Sequence, residues 1–235
     1  MAELDLVIDA GHGGSDPGAV KGNRLEKDWT LRITNYQLKR FKELGFFVEA
    51  TRTSDRSIAQ GDRVAHVKKA NYCISNHLNA GGGNRAEVIH SIHSKGDLAH
   101  KIAKALIDTK KNTVNVYNRA GVKGDYYYMH RLTGKTETNI VEYCFLDNEA
   151  DFKDFESKWE TYAEAVVKAF CEHVGKRYKP PESKQPSKPA SKPASKDETF
   201  YRVVTGSFKD KENAENRVKE LKKQGHESFI EPYKK

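Results

Sequence analysis

The sequence predicts an α/β fold, in which a mixed, mostly parallel sheet is flanked by helices, followed by a small βαβ module at the C-terminus. Short apolar runs alternate with segments of helical periodicity through residues 4–177, which is typical of such sheets. A stretch rich in proline, serine and lysine then separates this part from a short tail with strand and helix patterns of its own.

The first strand and the first helix follow from an apolar run and a helical repeat. Residues 4–9 form an apolar-rich run that enters the tight-turn sequence Gly11-His12-Gly13-Gly14. Residues 27–44 repeat apolar side chains at helical spacing, and Gly45 is placed to end that helix. A second strand is predicted over residues 46–52.

The middle of the chain continues the alternation. A short helix over residues 62–70 leads into a strand over residues 72–76, which runs directly into His77. Residues 87–93 alternate as a strand does, and residues 97–110 return to helical spacing.

The last part of the sheet is less regular in sequence. Residues 112–131 have no clear period, although the run Tyr126-Tyr127-Tyr128 favours an extended backbone. Residues 139–143 then predict a strand and residues 154–177 a long helix. In the tail, the pattern predicts a strand over residues 201–205, a helix over 211–224 and a strand over 228–231.

The chain is expected to divide into a domain over residues 1–177, a flexible linker over residues 178–198 and a small module over residues 199–235. Apart from prolines, the linker has no apolar side chain larger than alanine after Tyr178, and it repeats the letters SKPASKPASK. Such a segment cannot bury enough surface to offset the entropy of chain ordering.

The formal net charge of +8 favours a polyanionic partner, such as nucleic acid, an anionic membrane or a teichoic-acid-bearing wall. Charge does not choose among these, and linker lysines in a solvated spacer account for part of it. No apolar run is long enough to span a membrane, and acidic residues stand where a signal peptide has basic ones. We therefore expect synthesis in the cytoplasm without a signal peptide. The cysteines Cys73, Cys144 and Cys171 lie in apolar contexts and are expected to be free, buried thiols.

Three side chains suit a catalytic zinc site, which takes three protein ligands and leaves one position open for water. His12 and His77 each follow a predicted strand, and Glu26 begins the helix after the first strand. The carboxyl ends of parallel strands meet at one edge of an α/β sheet, where such folds place their sites. We therefore expect His12, Glu26 and His77 to converge on one zinc ion per chain.

The glycines beside His12 have two interpretations. They allow unusual dihedral angles and a close approach of substrate to the backbone, and a phosphate-cradling loop would use glycines in the same way. Asp16 stands where the third glycine of a GxGxxG loop belongs, and no Lys-Ser/Thr pair follows. The phosphate interpretation is therefore the weaker one.

Glu142 lies inside the apolar strand over residues 139–143, where a charge is costly without a partner. Placed opposite the zinc ion, Glu142 would take a proton from the attacking water and return it to the departing amine. An ion pair with a lysine or arginine explains its position equally well. Among the remaining histidines, His130 is a candidate for lining the cleft, because it follows the tyrosine run.

A series of motifs occurs in a fixed order within residues 4–173. The motifs are Val7-Ile8-Asp9-Ala10-Gly11-His12-Gly13-Gly14, Asp16-Pro17-Gly18-Ala19, Glu26-Lys27-Asp28, Arg52, the spacing from Arg63 to Asn71, Ser75-Asn76-His77-Leu78-Asn79-Ala80 and Glu142-Tyr143-Cys144-Phe145-Leu146-Asp147-Asn148. Together they resemble the zinc N-acetylmuramoyl-L-alanine amidases of the amidase 3 type. Four residues depart from that pattern, and we expect them to affect substrate fit: Asn76, Leu78, Tyr143 and Cys144.

The resemblance implies that His12, Glu26 and His77 bind zinc and that Glu142 is the catalytic carboxylate, a general base acting on a zinc-bound water. It implies hydrolysis of the amide bond between N-acetylmuramic acid and L-alanine in peptidoglycan, and hence lysis of the cell wall. A zinc peptidase cutting within the stem peptide would use the same ligands. A nucleic-acid-binding protein would need an interleaved aromatic and basic pattern that the chain lacks, so we expect neither nucleic-acid binding nor membrane insertion.

The tail, from Phe200 to Tyr233, resembles a SPOR module, a family that binds the glycan strands of peptidoglycan. Such modules usually contain two βαβ halves and only one is present here, so we expect two copies to pair as a homodimer through the tail. Action on the wall after release from the cytoplasm suits a phage endolysin or a mother-cell lytic amidase.

Overall fold

The computed structural model describes residues 4–109, 111, 113–181 and 210–223. The chain divides into a unit over Met1–Ser183 and a unit over Lys184–Lys235. The strands of the first unit are β1 (Leu4–Ala10), β2 (Val20–Lys21), β3 (Arg24–Leu25), β4 (Val48–Ala50), β5 (Ala70–Asn79), β6 (Ala86–His90), β7 (Val114–Asn118), β8 (Ala120–Gly121), β9 (Gly124–Asp125) and β10 (Glu137–Phe145), and its helices are α1 (Glu26–Glu43), α2 (Gln60–Val67), α3 (Asp97–Asp108), α4 (Tyr128–Arg131) and α5 (Glu149–His173).

Six of these strands form the central sheet, in the order β4-β1-β5-β10-β6-β7. Every neighbouring pair is parallel except β10 and β6, which run antiparallel. The predicted mixed, mostly parallel sheet is therefore confirmed. Because β1, β5 and β10 are parallel neighbours, their C-terminal ends meet at one edge of the sheet.

The core lies on both faces of this sheet, since successive side chains of a strand point to opposite faces. Helices α1, α3 and α5 cover one face, where Ile8 and Val141 belong to the larger apolar cluster. Helices α2 and α4 cover the other face, where Val7 and Ile140 belong to a smaller cluster. Burying each such side chain contributes about 1.5–3 kcal/mol, so both helical layers are held against the sheet.

Two helix ends show how local sequence sets the boundaries. The amide of Gly45 donates to Lys42 O at 2.9 Å and Gly45 has φ +74, which a residue without Cβ adopts without strain. The predicted stop of α1 is therefore confirmed. Helix α5 begins at Glu149, earlier than predicted, because Asn148 Oδ1 accepts from the amide of Asp151 as an N-cap.

Some predicted elements differ from the structure. β4 is shorter than residues 46–52, and β5 continues through Asn79, so His77 lies within the strand rather than after it. Residues 114–131 form β7, β8, β9 and α4, and Tyr128 is helical rather than extended. The cysteines are free and buried as predicted: Cys73, Cys144 and Cys171.

In the second unit the structure describes one helix, α6 (Lys211–Lys223), where residues 211–224 predicted it. Ala214, Val218 and Leu221 are partly buried on one side of this helix. The predicted tail strands and most of the predicted linker lie outside the described residues. Among the described residues, no helix combines the length and the apolar character needed to cross a bilayer.

Candidate metal centre

Three side chains predicted from separate segments lie together at one edge of the sheet. His12 follows β1, Glu26 is the first residue of α1 and His77 lies near the end of β5. One potential ligand atom of each lies within 4.8 Å of the other two. His12 Nε2 is 3.2 Å from Glu26 Oε2, and His77 Nδ1 is 2.9 Å from Glu26 Oε1. The structure thus brings the three residues into a group that can hold a metal ion.

The backbone at His12 adopts an unusual conformation, with φ +61, which costs free energy for a residue that has a Cβ. Buried arginines hold that backbone in place by binding its carbonyl groups. Arg63 Nη2 donates to His12 O at 2.9 Å, and Arg52 Nη2 donates to Gly11 O at 2.9 Å. Arg63 also pairs with the buried carboxylate of Asp9. The turn is therefore set by a buried ion pair beneath it.

Two glycines allow the ligand side chains to approach the backbone. A Cβ at Gly11 would stand 2.3 Å from His77 Cε1, and a Cβ at Gly18 would stand 2.5 Å from Glu26 Oε2. Gly18 also has φ +68, a conformation that favours glycine. Only glycine fits at these positions without displacing a ligand side chain.

Other groups orient the three side chains. Asp16 Oδ2 is 2.8 Å from His12 Nδ1, which leaves Nε2 of that ring to face Glu26. The amides of Ala19 and Leu78 donate to Glu26 at 2.7 Å and 3.0 Å, one to each carboxylate oxygen. Sequence reasoning did not assign Asp16 this role, although its place four residues after His12, across a tight turn, is a signal for such contact.

The electrostatics of the group favour a negative Glu26 between two imidazoles. Burial would raise the pKa of Glu26, but the hydrogen bonds and charges of His12 and His77 hold it well below its usual range. Burial lowers the pKa of His77, yet the hydrogen bond and charge of Glu26 outweigh it and raise the pKa to about 9. The site therefore attracts positive charge, either a proton or a cation.

Glu142 faces this group from β10, where it is the direct neighbour of His77 on β5. Its Oε2 is shielded from solvent and has no hydrogen-bond partner among the described residues. Burial is the main cause that raises the pKa of Glu142 to about 7; the charge of His77 opposes the rise, and Glu26 and Glu87 add to it. No ion pair of Glu142 occurs within the described part of the chain, which disfavours the ion-pair interpretation.

A cleft of about 270 Å³ opens beside the group, and both polar and apolar side chains line it. His12 and His77 are among the lining residues, together with Tyr127, Tyr128 and Ile140. A larger groove of about 620 Å³ runs between α3 and α5, but its charged lining does not include the metal-binding group. The cleft is therefore the candidate site for chemistry.

His130 does not line this cleft, contrary to the expectation from its place after the tyrosine run. His130 belongs to α4, and its side chain is buried. Burial lowers the pKa of His130 to about 4, so the ring is neutral at physiological pH. His130 is thus part of the core.

The four departures from the amidase pattern also lie in the core. Asn76, Leu78, Tyr143 and Cys144 are all at most 2% exposed. None of the four lines the cleft. The expectation that they affect substrate fit is therefore wrong as far as direct contact with a substrate is concerned.

Comparison with known proteins gives matches over both units. The family model described as N-acetylmuramoyl-L-alanine amidase matches residues 6–174, and the SPOR domain model matches residues 182–231. The germination-specific N-acetylmuramoyl-L-alanine amidase of Bacillus subtilis is 28% identical, and the match covers 75% of this chain and 82% of that protein. For N-acetylmuramoyl-L-alanine amidase CwlM of Bacillus licheniformis the identity is 25%, with 97% and 84% covered. The solved structure of N-acetylmuramoyl-L-alanine amidase AmiC2 of Nostoc punctiforme has a TM-score of 0.65 at 26% identity, with 74% and 98% covered.

Proposed function

Because this chain belongs to the N-acetylmuramoyl-L-alanine amidase family and carries a SPOR domain, we propose that it cuts peptidoglycan with a zinc ion held by His12, Glu26 and His77 and with Glu142 as the catalytic carboxylate. It is a hydrolase of peptidoglycan amide bonds, and the cell wall is its place of action. The convergence of three ligand atoms within 4.8 Å supports the metal-dependent mechanism most directly.

The donor set fits zinc. Zinc takes imidazole nitrogen and carboxylate oxygen at about 2.0–2.2 Å, so ligands of a tetrahedral site stand about 3.3–3.5 Å apart. One nitrogen of each imidazole and one oxygen of Glu26 lie within 4.8 Å of one another, so modest side-chain adjustment brings the three ligand atoms to that separation. Three protein ligands leave a position open for water or substrate, which distinguishes a catalytic zinc site from a structural one.

Glu142 has the properties that proton transfer requires. A bound zinc ion would polarise the amide carbonyl and lower the pKa of a water molecule toward ~7. Glu142, placed across from His77 and with one oxygen unpartnered among the described residues, accepts the proton of the attacking water and passes it to the departing amine nitrogen of L-alanine. In the metal-free protein burial raises the pKa of Glu142 to about 7. The charge of a bound zinc ion would lower this pKa and favour the carboxylate form that accepts a proton.

The nearest rival is a zinc peptidase that cuts within the stem peptide, and mass spectrometry of digested wall separates the two. An amidase releases intact stem peptides with a free L-alanine amino group and leaves the glycan unbroken. A peptidase releases shortened stems, and that product would overturn the assignment of the bond.

The role of Glu142 is tested by Glu142→Gln, with Glu137→Gln as the matched control on the same strand. Glu137 is partly buried near the start of β10 and receives no role in the site. We expect Glu142→Gln to lose at least about 100-fold in kcat, with zinc content near that of the wild type, and Glu137→Gln to keep full activity. Retained activity in Glu142→Gln would remove this residue from the mechanism.

The SPOR domain makes peptidoglycan a binding partner as well as a substrate. We also infer that two copies pair through residues 199–235, since the sequence of this segment predicts only one of the two βαβ halves that SPOR modules usually contain. The half-buried face of α6, with Ala214, Val218 and Leu221, is consistent with a helix packed on such a sheet. Sedimentation of the full chain and of a chain ending at residue 183 tests this, and monomers in both cases would contradict it.

A further inference from the structure

A closed set of buried polar side chains lies behind the metal-binding group, on the face of the sheet that α1 covers. Thr34 and Gln37 come from α1, Asn76 from β5 and Tyr143 from β10, and none is more than 1% exposed. Tyr143 donates its hydroxyl to Asn76 Oδ1 at 3.0 Å, and Asn76 Nδ2 donates to Thr34 Oγ1 at 3.0 Å and to Gln37 Oε1 at 2.9 Å. Gln37 Nε2 in turn donates to Tyr143 Oη at 2.9 Å. The set ties three elements together.

Each of these three elements also carries a residue of the site. Asn76 immediately precedes His77 on β5, and Tyr143 immediately follows Glu142 on β10. Because successive side chains of a strand point to opposite faces, the Tyr143–Asn76 hydrogen bond lies directly behind Glu142 and His77. Helix α1, which supplies Thr34 and Gln37, begins with Glu26.

The backbone of β10 is irregular at this point. Glu142 pairs with His77, but the next pairing is Phe145 with Asn79, so β10 holds one extra residue between the two pairs. β-Bulges are rarer in parallel pairs such as β10 and β5 than in antiparallel ones; they re-aim a side chain and are common beside active sites. Tyr143 lies within the bulge, and its hydroxyl donates to Asn76 of β5.

Stability alone does not account for this set. Replacing two buried hydrogen-bonding partners by apolar groups of similar shape is often close to neutral. A buried polar network that is fully satisfied does, however, select one arrangement, because any displacement leaves a buried group unpaired. The network is therefore suited to fixing distances among the three elements.

We propose that Tyr143 and Asn76 are positioning residues, whose hydrogen bond fixes the separation between the Glu142 carboxylate and a zinc ion at His77; this rests on the proposed function. The two residues act through their sequence neighbours and touch no substrate. Loss of the bond lets β10 and β5 shift at the bulge, which misplaces both the carboxylate and the ligand ring.

The test is Tyr143→Phe, with Tyr162→Phe as the matched control. Tyr162 is also fully buried, but its hydroxyl donates to Asp154 within the same helix at 2.6 Å, away from β5 and β10. Zinc affinity is measured by competition with a chromophoric chelator, kcat and KM on a soluble muropeptide, and folding by thermal unfolding. We expect Tyr143→Phe to lower zinc affinity and kcat by about tenfold each, with KM within about twofold. Tyr162→Phe should change neither. If Tyr143→Phe has the same zinc affinity and the same kcat as Tyr162→Phe, the proposed positioning role is wrong.

A double-mutant cycle with Asn76→Leu adds an independent measurement. Because the proposal assigns the effect of both residues on zinc to the bond between them, the loss of zinc affinity in the double variant should not exceed that of the larger single variant. If the fold-loss of zinc affinity in the double variant equals the product of the two single-variant losses, the inference is overturned. If Asn76→Leu does not fold, the comparison of the two tyrosine variants still decides. A wild-type chain that binds no zinc would instead overturn the proposed function, so the two failures are distinguishable.

Discussion

Replacement of Arg63 by methionine tests the claim that a buried ion pair holds the turn of His12. Arg63 and Asp9 are 5% and 1% exposed and pair directly. Arg63 also donates to Ala10 O at 2.7 Å and to His12 O at 2.9 Å. Methionine keeps an unbranched apolar stem but is shorter than arginine and supplies neither the charge nor the donors. The substitution therefore leaves a buried carboxylate with only neutral donors, Ser75 and Thr51.

Breaking a buried pair in this way costs about 3–5 kcal/mol, a large part of the ~5–15 kcal/mol that stabilises a typical domain. The effect depends on pH. Burial would raise the pKa of Asp9, but the charge of Arg63, then the hydrogen bond of Ser75 and the charge of His77, hold it below the usual range. Stability from such a group is present above the unfolded pKa and is lost as pH falls through the folded pKa. Without Arg63 the pKa of Asp9 rises, so the deficit is largest near neutral pH and narrows on acidification.

The assay is urea unfolding of the chelated protein at about pH 7 and about pH 4.5. Both lie above the ordinary aspartate pKa of ~3.9, so a carboxyl with a raised pKa takes up more protons at the lower pH. Arg56→Met is the matched control, because Arg56 is exposed and donates only to Thr51 O among the described residues. We expect Arg56→Met to lower the free energy of unfolding by no more than about 0.5 kcal/mol. The reasoning would be refuted if Arg63→Met lowered the free energy of unfolding at about pH 7 by less than about 1 kcal/mol, or if the difference from the wild type grew on acidification.

Three further predictions follow from the site and the domain organisation. Gly18→Ala places a Cβ 2.5 Å from Glu26 Oε2 at φ +68, so we expect at least about tenfold weaker zinc binding by chelator competition. Burial raises the pKa of Glu142 to about 7, so its contribution to the stability of chelated protein is complete below the unfolded pKa and is lost as pH rises through about 7. The free energy of unfolding of Glu142→Gln should therefore fall less over that pH range than that of the wild type. An equal fall in both proteins would count against a raised pKa of Glu142. Deletion of residues 184–235 should leave kcat/KM on soluble muropeptides unchanged while weakening binding to insoluble wall in pull-down assays, and unchanged wall binding would remove the tail from that role.

The sequence predicted the sheet and the meeting of His12, Glu26 and His77 because local patterns sufficed for both. His12 follows β1, Glu26 begins α1 and His77 lies near the C-terminal end of β5; parallel neighbours bring such ends to one edge. Their role as zinc ligands, and that of Glu142, remain proposals. The sequence also placed the stop of α1 at Gly45, because this signal is local to the chain.

Features that depend on long-range packing were not predictable in the same way. β7 is a short edge strand whose pairing with β6 decides its conformation, and no period in residues 112–131 indicates it. His130 has the sequence context of a cleft residue, yet the packing of α4 on β10 buries it. The contact between Asn76 and Tyr143 joins strands far apart in sequence, and only the register of β5 with β10 reveals that two unusual residues are partners.

The most direct test of the central claim is to identify new amino termini in purified wall digested by the chelated protein, before and after zinc is returned. We predict free L-alanine amino groups from the loaded enzyme, none after chelation, and recovery when about one zinc per chain is restored. Undiminished release of L-alanine termini by protein stripped of metal would contradict a mechanism that depends on His12, Glu26 and His77 holding a zinc ion.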